Sequence, residues 1–233
     1  MRGNRDVRAA ATWLIGLAAF CSLLLVGTVV TAAGASIRPC SLILAPSTYS
    51  EGTPNAKLLS ILGVLRRPQE ATDVLPSPAG GGSWHLGEGV YTKYIRLARV
   101  VNGVSFYVAP IAKGEAAGCT THEGVRLVEV RPVDGGYADG YGGYIATGHE
   151  IKSGANRQES EYVSPQGVVT ASGLVPDGVA RVTLRYPSKH HRRVSVTAPA
   201  LANVWVTRAP EVTATEVIWF SARGRVLKTF HTA

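Results

Sequence analysis

The sequence predicts a mainly β fold with a minor α component. An N-terminal transmembrane helix precedes a β-rich extracytoplasmic domain, either a small sandwich or a curled antiparallel sheet. Three observations predict this. Ala9 to Ala35 runs without a charged residue behind the basic leader MRGNRDVR. From Val168 onward, short alternating segments recur between turn signals. Charged residues make up 17% of the chain against 26 glycines, which fits strands and loops better than long surface helices.

Residues 1–8 are expected as a cytoplasmic basic leader and 9–35 as a signal anchor. The apolar run is long enough to cross a hydrocarbon core of about 30 Å as a helix. Basic residues precede it and only Arg38 follows closely, which places the N-terminus in the cytoplasm and the bulk of the chain outside. The small residues Ala33 and Ala35 offer an alternative, cleavage near Ala35 followed by secretion. Cys21 lies inside the apolar run. A lipobox needs a small residue before its cysteine and Phe20 stands there, so Cys21 reads as a small hydrophobe. On the exported side Cys40 and Cys119 are a candidate disulfide, with two free thiols as the alternative. A bridge across roughly 80 residues would constrain the unfolded chain by about 4 kcal/mol. No CxxC is present, so neither a thioredoxin-like site nor a zinc knuckle is indicated.

Residues 36–57 form a juxtamembrane linker broken by Pro39, Pro46 and Pro54, and the domain occupies 58–233. Leu58, Leu59, Leu62 and Leu65 share one helical face, which predicts a short helix near 56–66 ended by Pro68. Arg66 and Arg67 read as its solvated end, and Asp73 as a local cap. SPAGGGSWHLGEGV is expected to be a flexible connector. YTKYIRLARVVNGVSFYVAPIA predicts a hairpin turning at Asn102-Gly103. In GVRLVEVRPV, Val125 and Leu127 face inward while Val130 falls out of step.

The glycines between Asp134 and Tyr144 predict an irregular surface loop. Its Tyr137, Tyr141 and Tyr144 are stacking candidates. Asp134 and Asp139 lack the periodic acidic partners of a calcium loop. Mixed strand and loop follow, then the β-rich part at 168–231. Pro176-Asp177-Gly178 is a turn, with Asp177 a turn former rather than an acid catalyst. Val179 to Tyr186 alternates, with Ala180, Val182 and Leu184 on one face and Arg181, Thr183 and Arg185 on the other. The last two strands join through Ala222-Arg223-Gly224.

The sequence carries no G-x-S-x-G, no H-E-x-x-H and no phosphate-cradling glycine loop. His149-Glu150 and His122-Glu123 are adjacent pairs, and neighbours on a strand point to opposite faces. No cofactor and no metal site is expected. The net charge of +8 falls to +6 without the leader, from 21 basic and 15 acidic residues. That favours anionic partners. The strongest basic run is Lys189, His190, His191, Arg192 and Arg193, the expected link between two strands and the candidate binding patch. Export disfavours nucleic acid. An anionic wall polymer, lipid headgroups or an envelope protein remain as partners, with a solvated hairpin tip as the plainer reading.

ILGVLRRPQEATDVLP, YIRLARVVNGVSFYVAP, GLVPDGVARVTL, NVWV and VIWFSARGRVL together resemble a group of poorly characterised exported or membrane-anchored actinobacterial proteins. The resemblance runs from about Leu58 to Phe230. It implies a basic N-terminal membrane segment, a variable glycine-rich middle and a β-rich C-terminal part. It carries no catalytic residues. The expected function is a membrane-anchored extracytoplasmic binding or structural module of the cell envelope. The alternative is an exported envelope hydrolase that uses residues such as His149 and Glu150.

Overall fold

Hairpins and a shared strand build the first sheet. Its members are β1 (Tyr49–Ser50), β2 (Val90–Tyr91), β3 (Arg96–Val101), β4 (Val104–Ile111), β7 (Gly124–Val133) and β8 (Gly136–Gly140). Between them, β5 (Glu115–Ala116) and β6 (Cys119–Thr120) form a separate two-stranded ladder. The order is β1-β2-β4-β7-β8, with β3 also paired to β4. Only β1 and β2 run parallel. The β3–β4 turn is the predicted one. Asn102 and Gly103 both take positive φ, 52° and 79°, as a type I′ turn requires.

The computed structural model describes residues 47–112, 115–116, 119–120, 122–140, 145–155, 160–163, 169–187, 194–209 and 214–231, with the backbone alone at 115–116, 119–120, 139–140 and 160–163. The expected anchor at 9–35 lies outside these residues. Among the described residues no helix is long and apolar enough to cross a membrane.

The second sheet contains β9 (Ser160–Val163), β10 (Val169–Leu174), β11 (Arg181–Tyr186), β12 (Val194–Leu201), β13 (Val204–Ala209), β14 (Glu216–Phe220) and β15 (Val226–His231). Its order is β15-β14-β11-β12-β13-β10-β9, antiparallel throughout. β12 is the shared strand. Val194–Pro199 pair with β11, while Ala200 and Leu201 pair with β13. The alternation of β11 is as expected, with Val182 and Leu184 buried around Trp205 and Trp219. Neither principal sheet closes on itself, so the expected curled sheet is replaced by two open ones in a mixed α+β arrangement.

Both faces of the first sheet are buried. Phe106, Val108, Val125 and Leu127 pack with Leu174, Val204 and Val206 of the second sheet. Leu58, Leu62, Leu65 and Ile151 fill the same core from two short helices, α1 (Ala56–Ile61) and α2 (Gly148–Ser153), and from the turn after α1. On the opposite face Tyr107, Ala109, Ile111, Val128 and Val130 lie beneath Trp84 and Leu86. Val130 is therefore out of step with Leu127 because it serves a different core. The expected connector around Trp84 is a lid on this core, with Leu86 fully buried. Its apolar side chains outweigh the glycines that mark it as flexible.

Three further expectations change. The predicted helix over 56–66 breaks at Leu62, which is extended, and resumes as a 3-10 turn over Gly63–Arg66. Gly63 carries little helical preference, and its N–H is taken by Asp177 at 2.7 Å. The glycine-rich stretch after Asp134 contributes β8, because an edge strand pairs through its backbone whatever its side chains. Residues 47–50 of the expected linker belong to the fold, where Ser47 is buried beside Trp84.

Candidate functional site

The sequence ArgArgProGln, residues 66–69, sets up two clamps. Arg67 turns inward to Asp73, which ends a 3-10 turn over Ala71–Asp73. The Arg67 guanidinium donates from Nη1 to Oδ2 at 2.8 Å and from Nη2 to Oδ1 at 2.6 Å. The backbone N–H groups of Glu70 and Leu97 each add a bond at 2.7 Å. The Asp73 side chain is fully buried. Burial pushes its carboxyl upward, but the Arg67 and backbone donors outweigh that and hold it below the ordinary carboxylate value. Arg96, almost fully buried, braces the same corner by donating to the carbonyls of Arg67, Lys93 and Ile95.

Arg66 turns the other way, to Asp177 in the predicted Pro-Asp-Gly turn, at 2.7 Å. The Asp177 carboxylate also accepts from Gly63 N–H and from Asn203 Nδ2. Both arginines are thus ion-pair partners rather than a solvated helix end. Asp177 forms the turn as expected, with Gly178 at φ 90°, and in addition fastens the α1 corner to the second sheet.

Above the first clamp lies an open groove of about 320 Å³. Tyr49, Val74 and Leu75 line it together with the nearly buried Trp84 and Ile95. Tyr49 is 58% exposed and Val74 65%. The polar groups around the groove are held by the fold. Trp84 Nε1 donates to the Pro76 carbonyl at 2.9 Å. Gln69 Nε2 donates to the Thr92 carbonyl at 2.9 Å. Lys93 pairs with Glu51 at 2.6 Å across the surface. The arrangement offers an apolar surface with a polar border. Its one lining carboxylate, Asp73, already accepts four hydrogen bonds.

The residues singled out from the sequence fall elsewhere. Lys189, His190, His191, Arg192 and Arg193 lie outside the described residues. The strands on either side of them, β11 and β12, pair with each other up to Tyr186↔Val194. Cys40 is also outside, as is the side chain of Cys119. Tyr141 and Tyr144 are outside too, while Tyr137 is 38% exposed in β8.

His149 and Glu150 are on α2 instead of the expected strand and loop. Thr147 and Glu150 form a reciprocal capping box there, with Thr147 N–H donating to Glu150 Oε2 at 2.7 Å and Glu150 N–H to Thr147 Oγ1 at 3.2 Å. The pattern Thr-x-x-Glu is the signal that identifies this helix in the sequence. Glu123 is likewise committed, accepting from Asn55 N–H at 2.8 Å and from Tyr91 Oη at 3.2 Å. Burial, followed by the Glu123 charge, pushes the Tyr91 hydroxyl up. Among the described residues no group of three or more His, Cys, Asp or Glu side chains is placed to hold a metal ion.

No family model matches this chain, and no match exists among curated proteins or solved structures.

Proposed function

We propose that this protein is a membrane-anchored extracytoplasmic binding module of the cell envelope, with the groove beside Trp84 as its ligand face. Ala9 to Ala35 holds it in the membrane as a single pass, with the N-terminus in the cytoplasm. The two sheets act as a sandwich-like scaffold, and the cover over the first sheet carries the site. The partner is an envelope protein that inserts apolar side chains. The observation that carries this reading is Tyr49 and Val74 standing exposed around an apolar concavity whose charged neighbours are fixed by internal pairs. Concave apolar surfaces with few placed polar groups are the usual form of a binding site.

Benzoylphenylalanine at Val74 of the full chain, illuminated in intact envelopes, tests it. The expected result is a discrete protein adduct that Tyr49→Ala weakens. Adducts no different from those of a probe at exposed Ser60, on α1, would defeat the reading. The mass of the mature N-terminus tests the anchor separately. A start at Ser36 would mean that the segment is removed.

A further inference from the structure

The outer face of β15-β14-β11-β12, opposite the Trp205–Trp219 core, is laid out by the strand register. At its centre Thr183 stands between Ile218 and Thr197, and the two threonine hydroxyls are 2.9 Å apart. At one end Arg185 is neutralised by Glu216 at 2.5 Å. The other end is different. Arg181 lies between Phe220 and Pro199, its guanidinium 4.7 Å from the centre of the Phe220 ring. Arg223 and Arg225 follow in the exposed β14–β15 turn. Among the described residues none of these three arginines has a carboxylate partner.

The turn that carries Arg223 and Arg225 is fixed to the sheet. Ser221 N–H donates to the Arg225 carbonyl at 2.9 Å, and Ala180 N–H to the Phe220 carbonyl at 2.8 Å. The same end exposes aliphatic side chains, with Leu201 54%, Val226 53% and Leu227 39% accessible. We propose that this end of the domain docks on an anionic phospholipid bilayer. Guanidinium groups bind phosphate through paired N–H donors, and the stack on Phe220 holds Arg181 ready. Each basic residue beside an anionic leaflet strengthens association roughly fivefold. The aliphatic residues decide between anionic partners. They gain by entering the acyl boundary of a bilayer, whereas a hydrated wall polymer gives them nowhere to go. The inference rests on the membrane-anchored reading and adds a second contact to it.

The test uses the full chain in nanodiscs, with benzoylphenylalanine at Ala222. One set of discs contains phosphatidylcholine alone and the other adds phosphatidylglycerol. The expected result is a phospholipid adduct in the second set, about a hundredfold weaker after Arg181→Glu, Arg223→Glu and Arg225→Glu together. Should that variant melt early, 0.5 M salt on the wild-type chain replaces it, and the yield must fall as the charges are screened. Equal adducts in both discs, or a yield indifferent to charge and salt, would overturn the proposal. So would preferential crosslinking to an added glycerol-phosphate polymer. A chain that fails to enter the discs, or starts at Ser36, refutes the anchor instead. An inserted chain without lipid adducts refutes only the docking face.

Discussion

Asn203 reaches across from the β12–β13 turn to Asp177, its Nδ2 2.9 Å from Asp177 Oδ1. The same amide donates to the Val175 carbonyl at 3.1 Å, and its oxygen accepts from Val64 N–H at 2.9 Å. One side chain thus ties the turn after β12, the turn before β11 and the 3-10 segment after α1. It does so from φ 64°, a conformation few side chains tolerate but Asn does.

Asn203→Ala is expected to destabilise the domain by about 2–4 kcal/mol, from the lost bonds, the orphaned Val64 N–H and left-handed strain. Asn203→Gly should cost less, because it keeps the backbone conformation. Urea unfolding of the two variants measures the difference. A glycine variant no more stable than the alanine one would show that strain at 203 is negligible.

Asp73 makes stability depend on acid. Hydrogen bonds and a paired arginine hold its folded carboxyl below the ordinary aspartate value, and they do the same for Asp177. A lowered carboxyl contributes stability above its unfolded value and loses it as the pH falls through the folded value. The domain should therefore hold its stability above about pH 5 and lose it steadily below pH 4. Asp73→Asn takes the buried counterion from Arg67, which keeps only the exposed Glu70 at 3.4 Å, and is expected to cost up to about 3 kcal/mol at neutral pH. Melting temperatures from pH 2 to 7 should show a shallower acid limb in the variant. Parallel curves would mean that other groups govern the acid response.

Gly154 ends α2 at φ 79°, and a Cβ there would lie 2.1 Å from the Phe230 ring. The strain and the collision act together. Gly154→Ala should cost about 2–4 kcal/mol, because backbone and ring must both move. Phe230 packs edge-on against Trp219 at 4.8 Å between ring centres, so the displacement reaches the second core. Near-UV circular dichroism of the tryptophans is expected to change along with stability. Loss of stability with an unchanged spectrum would confine the damage to α2.

How far the sequence carried depended on where the deciding interaction lay. Asn102-Gly103 is legible because both residues accept positive φ, and β11 because its apolar residues alternate with polar ones. The β12–β13 turn escaped for the opposite reason. Ala202, at φ 47°, is an ordinary helix former held in the left-handed region by Asn203 and the strand pairing. The lid around Trp84 reads as a linker because its glycines are local while its burial comes from strands β4 and β7. The groove was illegible in the same way. Tyr49, Val74, Trp84 and Ile95 are scattered singly along the chain, and only the fold makes them neighbours. The basic run at 189–193 is conspicuous, but conspicuous charge is a property of sequence, whereas the lack of a carboxylate partner for Arg181, Arg223 and Arg225 among the described residues is a property of packing.

The groove itself yields the sharpest separation of binding from stability. Trp84 and Ile95 are 6% and 4% exposed, so truncating either opens the lid core as well as the site. Trp84→Ala should cost about 3–5 kcal/mol, and any loss of binding in it would be uninterpretable. Val74 is 65% exposed. Val74→Glu is therefore expected to leave the stability within the range of a surface change, about ±0.5 kcal/mol. It places a carboxylate against an apolar surface, which a partner inserting apolar side chains cannot solvate, so binding should fall at least about tenfold. Lys93→Ala serves as the matched control. Its exposed pair with Glu51 contributes little to stability, and its loss alters charge at the border without filling the groove. Crosslinking from a benzoylphenylalanine at Tyr49 that vanishes in Val74→Glu and persists in Lys93→Ala places the partner in the groove. Crosslinking that vanishes in Lys93→Ala alone would place it on the charged border instead.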